Sequence, residues 1–176
     1  MFVIGAYYDG LYKFLLVLHI LCAIIGFGAT YLNALYGQQI RRHRGREGLA
    51  IYEANFFVSG VGLYFIYAVF VFGFLLVLVS DDVWEFSQTW VWVSMLLYIV
   101  AIGVSHGVLL PAVKRMGVLM REMVDAGPPV GGAAPAGPPP QARELAALGQ
   151  RVGAASAFLN IAVIVVLALM VWKPGV

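Results

Sequence analysis

Four stretches of this chain, residues 14–40, 54–80, 86–113 and 152–172, contain no Asp, Glu, Lys or Arg. Each holds the ~20 apolar residues that a helix needs to cross a ~30 Å hydrocarbon core. The strict alternation of a membrane β-strand is absent from them. Within lipid the backbone must satisfy its own hydrogen bonds, so each stretch is expected to be a helix. Composition points the same way: 62% of the residues are hydrophobic and 11% charged, against about 45–50% and about 25% in an average soluble domain. So few polar groups cannot cover the water-facing surface of a soluble globular enzyme. A disordered chain, which needs low hydrophobicity and high charge, is excluded as well. The expected fold is all-α: a single four-helix transmembrane domain over residues 1–176, with spans near 11–37, 55–79, 89–113 and 152–172.

The charges that remain give the orientation. Arg41, Arg42, Arg44 and Arg46 fall in the first connection, and Lys114, Arg115, Arg121, Arg143 and Arg151 in the third. The second connection, Asp81-Asp82-Val83-Trp84-Glu85, has no basic residue. The positive-inside rule puts the first and third connections in the cytoplasm and both termini outside. The arginine cluster serves that rule without needing a ligand. No basic leader or small-residue cleavage site marks a signal peptide, so the first helix is expected to stay in the mature chain. Tyr7, Tyr8, Tyr12, Trp84, Trp90 and Trp172 flank the spans, where the headgroup level suits their amphipathic rings. Residues 126–140, rich in Pro, Gly and Ala, read as a flexible linker. Around it, 114–125 is expected to prolong the third helix and 141–151 to begin the fourth early.

Partners other than lipid are constrained only weakly. A net charge of +2 is too small for a nucleic-acid footprint. The lone Cys22 cannot form an internal disulfide, and no Cys/His cluster has zinc spacing. The methionines, Met1, Met95, Met116, Met120, Met123 and Met170, form no clustered soft-ligand set for copper. No nucleotide-binding glycine loop, metalloprotease helix or nucleophile–base pair is present. No mid-span carboxylate offers a proton relay.

Two histidines are left inside the spans. An intramembrane ionisable group is costly, which makes it a candidate functional residue. His19 shares a helical face with Cys22, Ala23, Gly26, Thr30 and Asn33, the least lipophilic face of its helix. A neutral imidazole there could ligate haem iron; the blander reading is a hydrogen bond to a neighbouring helix. His106 is the weaker candidate, since it lies within Gly103-Val104-Ser105-His106-Gly107, a Gly-xxx-Gly close-approach pattern. Counted from the outer ends of their helices, the two lie ~12 Å apart in depth, a poor offset for a shared haem. Gly149, Gly153, Ser156 and Asn160, and likewise Ser94, Tyr98 and Ser105, form small or polar faces suited to tight helix contact.

The run Tyr12-Lys13-Phe14-Leu15-Leu16-Val17-Leu18-His19-Ile20-Leu21-Cys22 through Ala29 resembles the start of the bacterial integral membrane family called domain of unknown function 2269. Leu148 to Gly153 through Trp172-Lys173-Pro174-Gly175 is similar to its closing segment, and Leu110-Pro111 with Lys114-Arg115 also fits. The resemblance implies a four-helix fold in the bacterial inner membrane and carries no established activity. More distantly, Leu18-His19 and the glycine downstream resemble the copper-resistance D proteins and the haem-binding membrane protoporphyrinogen oxidases. In the oxidases a first-helix histidine and a third-helix lysine are key. His19 matches the former, while Ser94 stands where the lysine is sought and cannot supply its amine.

The expectation drawn from these readings is a bundle that binds a b-type haem or porphyrin through His19, in a redox or porphyrin-handling role. The alternative is a non-catalytic accessory or assembly subunit with membrane-protein partners or a homo-oligomeric state. A small-solute or metal transporter is the third reading.

Overall fold

The computed structural model describes residues 10–43, 45–127 and 140–175. They form four long helices: α1 (Gly10–Arg42), α2 (Arg46–Leu78), α3 (Thr89–Asp125) and α4 (Pro140–Trp172). No strand occurs among the described residues. A helix rises ~1.5 Å per residue, so the 33 residues of α1, α2 or α4 reach well past a ~30 Å core. The charge-free windows therefore mark the lipid-facing middle of each helix and not its ends. α2 begins at Arg46, nine residues before the span expected at 55, because Glu47, Leu49, Ala50 and Glu53 favour helix in water as well. The early start of α4 and the extension of α3 over 114–125 match the sequence reading. Most of the linker expected at 126–140 falls at 128–139, outside the described residues, as do Tyr7 and Tyr8.

α1 and α2 form a hairpin that packs along its whole length. Its turn is closed by Gly45 at φ 67°, a left-handed conformation that suits a residue without Cβ. The seam rests on glycines from both helices. A Cβ on Gly62 would lie 2.7 Å from the Ala29 Cβ, and one on Gly26 would lie 3.0 Å from Ile66 Cγ1. In lipid, where apolar contact alone gives helices little reason to associate, such close approach is a main source of cohesion. Ser59 adds a hydrogen bond to Asn33 Oδ1 at 2.8 Å. At the acidic end, Trp84 Nε1 donates to the Tyr12 hydroxyl at 3.0 Å. The Lys173 ammonium sits 3.8 Å from the centre of the Trp84 ring, so the end of α4 closes over the α2–α3 connection.

α3 joins this hairpin to α4. Tyr98 donates its hydroxyl hydrogen to the Ile66 carbonyl, and Tyr52 to that of Val113 at 2.8 Å. At the basic end Arg121 meets Glu53 at 2.9 Å. Arg115 grips both carboxylate oxygens of Glu144 in α4, at 2.7 and 3.1 Å. Those hydrogen bonds hold the Glu144 carboxyl below the usual carboxylate range.

One irregularity interrupts α3. Residues Ser105–Leu109 form a π-helical turn, and the Leu110 N–H reaches back five residues to the Ser105 carbonyl. The cause lies two residues beyond it. Pro111 has no N–H for the Gly107 carbonyl, and its ring would crowd that carbonyl in a regular helix. A wider turn relieves both problems in the segment that contains His106.

Candidate functional site

His19 is 8% exposed and lies in the α1–α2 seam with Cys22 and Gly26. Its Nδ1 is 2.9 Å from the Val69 carbonyl of α2. An unprotonated nitrogen cannot donate, so Nδ1 carries the hydrogen and Nε2 keeps its lone pair. Access to that carbonyl depends on Gly73, one helical turn further along α2. A Cβ there would stand 3.0 Å from His19 Cε1 and 3.3 Å from Nδ1. Of the rest of the predicted stripe, Asn33 faces α2 and bonds Ser59, whereas the Thr30 hydroxyl donates to the Gly26 carbonyl of its own helix at 3.0 Å.

His106 is exposed on the outer side of the π-turn. Its Nε2 lies 2.6 Å from the Tyr67 hydroxyl and its Nδ1 3.0 Å from the Ile102 carbonyl. The consistent tautomer donates from Nδ1 and accepts from tyrosine at Nε2. No nitrogen lone pair then remains for a metal. Gly103 and Gly107 flank it, and a Cβ on either would meet nothing within 4 Å. The close approach expected of this Gly-xxx-Gly pair is thus not made among the described residues. The same holds for Gly149 and Gly153 on α4.

The two histidines do not share a site. His19 contacts α2 at Val69 and Gly73, and His106 contacts it at Tyr67. Those contacts are only two to six residues apart, ~3–9 Å along α2, closer in depth than helix counting gave. Residue 67 lies roughly 120–160° around the helix from residues 73 and 69, so the two rings meet different faces of α2. Among the described residues, no group of three or more His, Cys, Asp or Glu side chains could hold a metal ion. For a b-type haem, His19 offers suitable donor chemistry through Nε2, and its carbonyl-anchored Nδ1 is the arrangement that orients metal-bound histidines. The space does not match the donor. His19 is packed into α2, and neither of two concavities between the helices, of about 750 and 580 Å³, is lined by it. Ser94 presents a buried hydroxyl with no partner where the oxidase resemblance calls for an amine.

Sequence reading missed two features. The π-turn had a signal in Pro111, a helix breaker inside a continuous apolar run. The role of Gly73 had none, because the sequence does not say which glycine of α2 faces His19.

The fold and these contacts define a polytopic helical membrane protein whose polar side chains within the spans chiefly tie one helix to the next. The family described as "Predicted integral membrane protein (DUF2269)" matches residues 13–174. The chain belongs to that family. No curated protein and no solved structure matches it.

Proposed function

We propose that this protein is a non-catalytic helix bundle of the bacterial inner membrane that docks other membrane helices, as an accessory or assembly subunit of a larger complex. One observation carries the reading. The outward face of α3 bears an exposed intramembrane imidazole, His106, between two glycines that none of the described residues approaches. Both ring nitrogens are bonded to Tyr67 and Ile102, so what this face offers a partner is room: open glycines at a spacing of four residues let a second helix come close and cover the ring. The basic connections at one end of the bundle and the acidic one at the other favour cytoplasmic basic connections, with both termini outside.

The test is site-specific photocrosslinking from positions 99 and 108, exposed beside the two glycines, in native membranes, with position 24, on the lipid-facing side of α1, as control. Adducts to one heterologous membrane protein from 99 and 108, absent from 24 and lost on Gly107→Leu, are expected. A solitary species at both positions overturns the reading. An adduct of twice the chain's mass replaces it with self-association.

A second reading, binding of a b-type haem or porphyrin through His19, is favoured by the fixed Nδ1–H tautomer. It requires the α1–α2 seam to open. Protein purified with haem supplied should then show a reduced-minus-oxidised Soret difference that disappears in His19→Ala. An unchanged difference spectrum removes His19 as the ligand.

A further inference from the structure

The larger concavity opens between α2 and α3 at the basic end of the bundle, with a volume of about 750 Å³. Its walls are chemically graded. Lys114 and Arg121 stand at one end, and Phe56, Phe57, Val61 and Tyr64 run toward the membrane centre. Phe57 and Tyr64 are 73% and 75% exposed. The floor is kept low by two glycines. Gly117 accommodates the Tyr52 ring, which a Cβ would meet at 2.5–2.7 Å, while Gly60 has open space above it.

The charges at the mouth are not equivalent. Arg121 is committed to Glu53 at 2.9 Å and Arg115 to Glu144. Lys114 makes no ion pair among the described residues and is the first charge after the apolar window of α3. Its flexible stem can therefore lift the ammonium to headgroup depth while the groove below it stays in hydrocarbon. A ligand that fits this gradient has an anionic phosphate at one end and an aliphatic chain at the other.

We propose that this groove is a binding site for an anionic phospholipid, with its phosphate on Lys114 and an acyl chain along Phe57, Val61 and Tyr64. Gly103, His106 and Gly107 do not line the groove, and its test does not depend on a partner helix on their face. The Glu53 carboxylate turns Arg121 away from the phosphate. Lys114 is then the principal source of headgroup preference, and the aromatic wall serves any lipid.

The full chain would be reconstituted in vesicles of phosphatidylcholine and phosphatidylglycerol in equal amounts, extracted in mild detergent, and its retained lipid measured by native mass spectrometry. Phosphatidylglycerol should be retained about fivefold over phosphatidylcholine, the factor contributed by one basic residue near an anionic headgroup. Lys114→Gln should bring the two lipids to parity, Lys114→Arg should keep the preference, and Arg151→Gln should leave it unchanged. Gly60→Trp fills the groove without touching the charge and should lower retention of both lipids. Equal retention by the native chain, or an unchanged preference in Lys114→Gln, overturns the proposal. So does unchanged retention in Gly60→Trp. Added inorganic phosphate should not displace the lipid; full displacement would mean that the site recognises free phosphate instead.

Discussion

The contact between His19 and α2 makes a prediction that does not depend on any cofactor. Gly73→Ala places a Cβ 3.0 Å from His19 Cε1 and 3.3 Å from Nδ1, inside the ~3.5–4.0 Å separation at which carbon atoms attract. The ring must retreat, and the 2.9 Å bond to the Val69 carbonyl lengthens or breaks. An interhelical hydrogen bond of this kind in a membrane averages about 0.6 kcal/mol and reaches about 1.7. The substitution also removes a flexible residue from a helix interior, a gain of roughly 0.5–1 kcal/mol. In the native background the two effects nearly cancel, so the single variant says little. In a His19→Ala background no bond is lost and only the gain remains. The double-mutant cycle isolates the contact, because the helix-propensity term is common to both arms. The expected coupling is about 0.6–1.7 kcal/mol, read from reversible unfolding in mixed micelles followed by far-ultraviolet circular dichroism. Additivity within about 0.3 kcal/mol would refute the seam geometry on which the His19 assignment stands.

Three other outcomes follow from the packing. Gly62→Leu puts its first carbon 2.7 Å from Ala29 Cβ and should destabilise the α1–α2 hairpin by roughly 1–3 kcal/mol, as overpacking does, in the same unfolding assay. Lys173→Gln removes the cation 3.8 Å from the Trp84 ring; a loss of about 0.5–1 kcal/mol should accompany a shift in tryptophan emission, and unchanged emission would count against the contact. Glu144 is held below the usual carboxylate range by Arg115. Its contribution is therefore complete above the ordinary carboxylate value and fades as pH falls through the lowered one. Spin labels on the basic ends of α3 and α4 should separate only in that acidic window, and Glu144→Gln should abolish the pH response.

Much of the fold was legible because hydrocarbon imposes a simple rule on sequence. Removing charge from four windows of sufficient length leaves the backbone little choice but helix. The extensions at both sides of 128–139 were legible too, since Arg115, Arg121 and Glu144 belong to ordinary helix-forming segments. The site was read less completely. His19 stood out as an ionisable group in an apolar run, but its use did not. Nothing in the sequence says what Gly26 and Gly62 face, and only the structure sets each against the other helix. The Gly103/Gly107 pair went the other way: a pattern associated with close packing is left open among the described residues.

Sequence by itself determined the number of spans, their helical state and the end of the bundle that carries positive charge. These depend on transfer of side chains from water to lipid, which is nearly additive along the chain. Tertiary structure decided which polar atoms meet. It gave His19 the Val69 carbonyl, gave His106 the Tyr67 hydroxyl, set the two rings on different faces of α2, and left Lys114 at the head of a groove. The physical reason is rotational. An azimuth of ~100° per residue fixes which side chains share a face, but the facing helix and its register are set by packing between segments far apart in sequence.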